Sequence, residues 1–125
     1  MDNKVIEHGN SAYVTGLLLV SKEGGKTKRL VFDYRQLNSN LKPEIAPLPS
    51  VPELVRKMGI AKAKYYCTLD FRSAFNQVRL TKNCKQLTAF SPDSYSLYVW
   101  NRVPFGTSVS PSLWQLPVQK LVFSQ

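Results

Sequence analysis

The sequence predicts an α+β fold, an antiparallel sheet with flanking helices, and three observations carry that prediction. Two apolar segments, Leu17 to Ser21 and Leu30 to Tyr34, are joined by Glu23-Gly24-Gly25-Lys26-Thr27, whose glycine pair can supply the positive φ that a hairpin needs. Ser50 with Glu53 three residues on forms a capping box ahead of Leu54, Val55 and Met58, which line one helical face. Ser110-Pro111 opens a last helix, because proline suits a first turn whose amide has no partner anyway.

Taken in chain order, the first element is that hairpin, with a basic tip. Leu41 to Pro49 holds three prolines and little periodicity, which marks an extended connector. A short helix follows from about Val51 to Met58, with Gly59 placed to end it. Tyr65 to Leu69 is rich in β-formers and reads as a buried strand that ends on Asp70. Gln86 to Phe90 and Ser96 to Val103 read as a further antiparallel pair around Ser91-Pro92-Asp93-Ser94. Tyr95, Tyr98 and Trp100 could stack on bases but are better explained as packing residues. Pro117 falls inside the last helix, where it removes the amide that would bond to Leu113 and costs about 3 kcal/mol or a kink.

Composition narrows the function classes. A chain of 125 residues is one domain's worth of sequence, long enough to bury a core. Seventeen Lys and Arg against eight Asp and Glu give a formal charge of +9, which favours a polyanionic partner such as nucleic acid. Cys67 and Cys84 have neither metal-ligand spacing nor a disulfide framework, which suits a reducing compartment. The longest apolar run, Tyr13 to Val20, is too short to span a bilayer, and Met1-Asp2-Asn3-Lys4 has no signal-peptide organisation. The expectation is an intracellular protein, of cytoplasm or nucleus, with no membrane partner.

The chemistry concentrates at Asp70. A carboxylate at the end of a strand has a fixed backbone behind it and suits a hard divalent cation, and the same residue could instead cap the next helix. Its surroundings, Leu69-Asp70-Phe71-Arg72-Ser73-Ala74-Phe75-Asn76-Gln77-Val78-Arg79, are similar to the motif L-D-x-R-S-x-Y/F-x-Q-x-R. Upstream, Asp33-Tyr34-Arg35-Gln36-Leu37-Asn38 is similar to D-Y-R-x-L-N. Downstream, Pro104-Phe105-Gly106 through Pro111 to Gln115 is similar to P-F-G-x-x-x-x-P-x-x-F-Q. With these motifs in this order, the chain resembles the reverse transcriptases of gypsy-type LTR retrotransposons from about Ser11 to about Gln115.

The resemblance implies a partial right-hand polymerase, with fingers at about 1–44 and 78–109 and an incomplete palm at about 45–77 and 110–125. It implies RNA-directed DNA polymerase chemistry, nucleotidyl transfer from a deoxynucleoside triphosphate to a primer 3′-hydroxyl on an RNA or DNA template. Asp70 would be the first catalytic and metal-binding carboxylate, assisted by the Phe71 backbone carbonyl, with Mg²⁺ or Mn²⁺ bound only when the site is completed. Phe75 would lie under the incoming sugar and exclude a 2′-hydroxyl. Lys22 and Arg29 would meet the triphosphate, Phe105 and Gly106 would sit beside nucleotide and template, and Gln115 would lie near the nucleic acid. Asp33 and Arg35 would pair structurally, and Lys26 and Lys28 would face solvent.

One departure limits the expected activity. The family's second carboxylate pair comes from a Y-x-D-D hairpin that these 125 residues do not contain, and Asp93, Glu44 and Glu53 are poorly placed to replace it. The chain is therefore expected to be inactive alone, with a companion polypeptide as a conceivable source of the missing palm and thumb. The alternatives are a non-catalytic nucleic-acid-binding module and an inert retroelement remnant. Without a neighbour for its Asp70 strand, the isolated chain is also expected to be marginally stable or to self-associate.

Overall fold

The computed structural model describes residues 4–22, 24–42 and 50–123. Its strands are β1 (Ile6–His8), β2 (Gly16–Ser21), β3 (Lys28–Asp33) and β4 (Tyr98–Trp100). The helices are α1 (Arg35–Asn40), α2 (Val51–Ala61), α3 (Lys82–Leu87) and α4 (Ser110–Phe123), and a single 3₁₀ turn spans Ala74–Gln77. The fold is α+β, as the sequence predicts.

β2 and β3 form the predicted hairpin, with Leu18 opposite Val31 and Val20 opposite Arg29. Its turn closes through Lys22, whose amide donates to the Thr27 carbonyl at 2.8 Å, and Gly24 and Gly25 take φ of +92° and +69°. The second sheet differs from expectation. β4 pairs antiparallel with β1, Ile6 opposite Trp100 and His8 opposite Tyr98, and the segment Gln86 to Phe90 is not a strand. Gln86 and Leu87 belong to α3, Thr88 follows it as a turn, and only Phe90 meets Tyr98, in one antiparallel bridge with both hydrogen bonds at 2.9 Å. The polar run Lys82-Asn83-Cys84-Lys85-Gln86 has no strand alternation, so helix is the locally cheaper state.

The core lies where the hairpin base meets these segments. Tyr34, Ala89, Phe90, Val99, Trp100 and Val103 are buried. Phe32 packs edge-on against Phe90 and Trp100, with ring centroids 5.0 and 5.2 Å apart, which is the geometry that aromatic quadrupoles favour. The Tyr34 hydroxyl donates to the Thr88 carbonyl at 3.2 Å inside this cluster. Tyr98 and Trp100 are packing residues, as expected, whereas Tyr95 is almost fully exposed.

Further corrections concern the middle of the chain. Ser50 Oγ accepts from the Glu53 amide as the capping box requires, but α2 continues past Gly59 to Ala61. Lys62 takes the left-handed conformation that ends it, at φ 46°, so the stop lies three residues later than Gly59 would set it. An interior glycine costs only about 1 kcal/mol, which Ile60 and Ala61 outweigh by extending the helix. Tyr65 to Leu69 is not a strand and is not buried. Tyr65 is 90% exposed and Leu69 66%, because no described segment offers a ladder to its backbone. α4 begins at Ser110 as predicted and runs through Pro117 to Phe123, so one missing donor does not end a 14-residue helix. Of the predicted connector, residues 43–49 lie outside the described residues, Glu44 among them, as does Glu23 of the hairpin turn.

Candidate nucleotidyl-transfer site

Three segments distant in sequence converge behind Asp70. The stretch after it turns at Ser73, in the left-handed region at φ 48°, and enters the 3₁₀ turn Ala74–Gln77. Gln77 Nε2 donates back to the Arg72 carbonyl at 2.9 Å, and Asn76 Nδ2 donates to the Val103 carbonyl at 3.0 Å. Val103 N in turn donates to the Val78 carbonyl at 3.0 Å, and Leu80 N to the Asn101 carbonyl at 3.0 Å. The Asp70 and P-F-G segments are thus stitched edge to edge, which brings the Phe75 and Phe105 rings within 5.3 Å.

The third segment is tied in by Asn38, on α1. Its Nδ2 donates to the Gly106 carbonyl at 3.0 Å and its Oδ1 accepts from the Ser108 amide at 2.8 Å. Both amide atoms of one side chain therefore grip the 105–108 loop. Gly106 has φ +94°, which only glycine holds without strain, and a Cβ there would lie 3.6 Å from the Phe32 carbonyl and from the Tyr34 ring. Buried Ser110 Oγ donates to the Pro104 carbonyl at 2.8 Å and also bonds Thr107 Oγ1, fixing the start of α4. On α4, Trp114 packs edge-on against Phe71 at 5.2 Å, beside half-buried Gln115.

Asp70 itself is exposed and ends the unpaired stretch 65–70. No side chain caps the 3₁₀ turn that follows it, so the capping alternative finds no support. Phe71 and Phe75 are half-buried, and Phe105 and Gly106 are exposed. Lys22 and Arg29 lie exposed on the hairpin, and among the described residues no hydrogen bond or ion pair joins them to the Asp70 segment. Lys26 and Lys28 are exposed as expected. Among the described residues no three His, Cys, Asp or Glu side chains come together as a metal centre. The sequence marks Asn38 only by its place in the D-Y-R-x-L-N motif, which assigns it no role.

At the hairpin base, Arg35 Nε and Nη2 donate to the two Asp33 carboxylate oxygens at 2.8 and 2.7 Å, the structural pair the sequence suggested. These bonds, with the Arg35 amide, hold the Asp33 carboxyl down from 3.8 to about 2. Because the folded pKa is depressed, the pair's contribution is full above about pH 4 and is lost as pH falls towards 2. Arg35 is largely exposed, so solvent screening keeps that contribution small. Arg35→Gln is expected to raise the Asp33 titration midpoint part of the way back towards 3.8, the retained amide of residue 35 keeping some of the depression, read from its carboxyl carbon by NMR. An unchanged midpoint would assign the depression to another group.

A fold of two small antiparallel sheets with the helix α4 packed beside the Asp70 turn, and three converging motifs, defines a piece of a nucleic-acid polymerase. The sequence pattern of the family described as reverse transcriptase (RNA-dependent DNA polymerase) matches residues 20–125, and the chain belongs to that family. It is 36% identical over 118 residues to the retrovirus-related Pol polyprotein from transposon 412 of Drosophila melanogaster, covering 90% of this chain and 9% of the polyprotein. It is 32% identical over 126 residues to that from transposon gypsy of the same organism, covering 97% and 12%. Among solved structures, the Prototype Foamy Virus protease-reverse transcriptase matches with a TM-score of 0.80 and 29% identity, over 96% of this chain and 16% of that one. The foamy viral enzyme in complex with an RNA/DNA hybrid matches with a TM-score of 0.76 and 27% identity, over 96% and 16%. The chain is thus a segment of a retrotransposon-type reverse transcriptase domain, and it spans about a tenth of the length of these transposon polyproteins. Members of the family use a divalent metal. No helix among the described residues is long and apolar enough to cross a membrane.

Proposed function

We propose that the chain is the fingers and partial palm of an RNA-directed DNA polymerase, approximately 1–44 with 78–109 and 45–77 with 110–125, which contributes one half of a nucleotidyl-transfer site. The observation that carries this reading is the convergence of three motifs, with Asn38 bonded to Gly106 and Ser108 and the Phe75 ring 5.3 Å from Phe105. Asp70 supplies the first carboxylate, exposed and unencumbered at the end of its stretch. Phe75 and Phe105 form an apolar floor for sugar and base, with Phe75 blocking a 2′-hydroxyl. Gly106 lets backbone approach the template closely, and Gln115 on α4 faces the strand. Lys22 and Arg29 neutralise the triphosphate of the incoming deoxynucleotide. The template-primer is RNA or DNA, and the compartment is cytoplasm or nucleus. The formal charge of +9 suits that partner.

The described residues do not by themselves fit a divalent metal centre, because no three His, Cys, Asp or Glu side chains among them come together around Asp70 or elsewhere. Mg²⁺ or Mn²⁺ therefore needs carboxylates from beyond the described residues, in a continuing chain or a companion polypeptide. Primer extension on a poly-A template with either ion tests this. The 125-residue chain, shown to be folded, is expected to give no product, and the same chain fused to the Y-x-D-D hairpin and thumb of a gypsy-type enzyme is expected to extend the primer. Extension by the chain alone would overturn the half-site argument. An inactive but folded fusion would overturn the polymerase reading in favour of a nucleic-acid-binding module.

A further inference from the structure

The roles above leave two arginines unused, and their placement is costly. Arg79 and Arg102 face each other in an isolated antiparallel bridge. The flanking bonds, Leu80 N to Asn101 O and Val103 N to Val78 O, make them a non-hydrogen-bonded pair, the position at which opposed side chains come closest. Like charges directly opposite each other destabilise a sheet. Arg102 Nη1 donates to the Gln77 carbonyl at 3.3 Å, and the Arg79 guanidinium makes no hydrogen bond or ion pair to another described residue.

The pair opens onto a cleft of about 430 Å³ lined also by Lys4, Glu7, Lys85 and Asn101. Four cations thus meet one carboxylate. That carboxylate is already matched, since Glu7 Oε1 accepts from Lys85 Nζ at 3.0 Å and Oε2 from Asn101 Nδ2 at 3.1 Å. The uncompensated charge in the cleft is that of the arginines, whose forked guanidinium donors match phosphate oxygens.

We propose that the Arg79–Arg102 cleft is a phosphate-binding site for a nucleic-acid strand, whose backbone phosphate bridges the two guanidinium groups and offsets their repulsion. The proposal rests on the nucleic-acid partner of the function given above and adds where one of its phosphates is held.

The test measures binding of the full 125-residue chain to a short mixed-sequence single-stranded oligonucleotide across a salt series. Each lost phosphate contact should lower the slope of log affinity against log salt by about 0.7, so Arg79→Gln/Arg102→Gln, which loses the one bridged phosphate, should lower it by about 0.7. Lys62→Gln/Lys64→Gln removes the same charge from an exposed stretch and should leave the slope near that of wild type. If the arginine double variant does not fold, Arg79→Gln alone is used, with an expected loss of up to about 0.7. Equal slopes for wild type and the arginine variant would overturn the site while leaving nucleic-acid binding intact. No binding by wild type would overturn both. Arginine Nε–H resonances of Arg79 and Arg102 should shift with the oligonucleotide and not with inorganic phosphate at the same phosphate concentration, and a response to inorganic phosphate alone would overturn the strand assignment.

Discussion

Tyr34→Ala is expected to leave the chain unfolded at room temperature, the largest stability effect of any single substitution considered. Tyr34 is 2% exposed, stacks on Phe32 at 6.0 Å and donates its hydroxyl to the Thr88 carbonyl. Replacing a buried aromatic with alanine costs about 3–5 kcal/mol, which approaches the whole stability of a domain with 5–15 kcal/mol to lose. This chain should sit near the lower figure. Leu18, Leu19, Leu30, Val55, Ile60 and Leu69 all remain exposed, so much of its apolar surface contributes nothing to the core. Tyr34→Phe keeps the ring and loses only the hydrogen bond, at a cost of about 1–2 kcal/mol. Burial pushes the Tyr34 hydroxyl well above its ordinary value, with the Trp100 side chain opposing in part, so it stays a protonated donor across the accessible pH range. Urea denaturation followed by tryptophan fluorescence reads both variants. A cooperative Tyr34→Ala transition with wild-type midpoint would show that the aromatic cluster is not the core.

Elements whose signal is local were legible in the sequence, and those that depend on distant partners were not. The β2–β3 hairpin announces itself because Gly24 and Gly25 solve its turn within a few residues. The start of α4 is equally local. β1 is three residues long and exists only because Ile6 to His8 meet a strand some ninety residues later, which no window along the chain can register. Tyr65 to Leu69 shows the converse. Its residue types favour a strand, but propensity does not supply a partner, and among the described residues the segment has none. The site was legible mainly as motifs. That Asp33 and Arg35 pair could be inferred from their spacing, but that Asn38 would grip Gly106 and Ser108, 68 and 70 residues away, could not.

Asp70→Asn separates chemistry from folding more cleanly than any other substitution in the chain. Asp70 is exposed, caps no helix and pairs with no described residue, so the substitution should shift the melting temperature by less than about 0.5 kcal/mol's worth of stability. In the completed fusion, primer extension should fall by at least about 100-fold, the size of effect seen when one preorganised charge-stabilising group is removed from an active site. Asparagine keeps the shape and one oxygen but loses the negative charge, so a purely steric role for Asp70 would leave extension nearly unchanged. A large loss of stability would be equally informative, because it would mean that Asp70 holds the turn into Ala74–Gln77 together. The combination of intact melting and lost extension is the result that only a carboxylate working on the reaction can give.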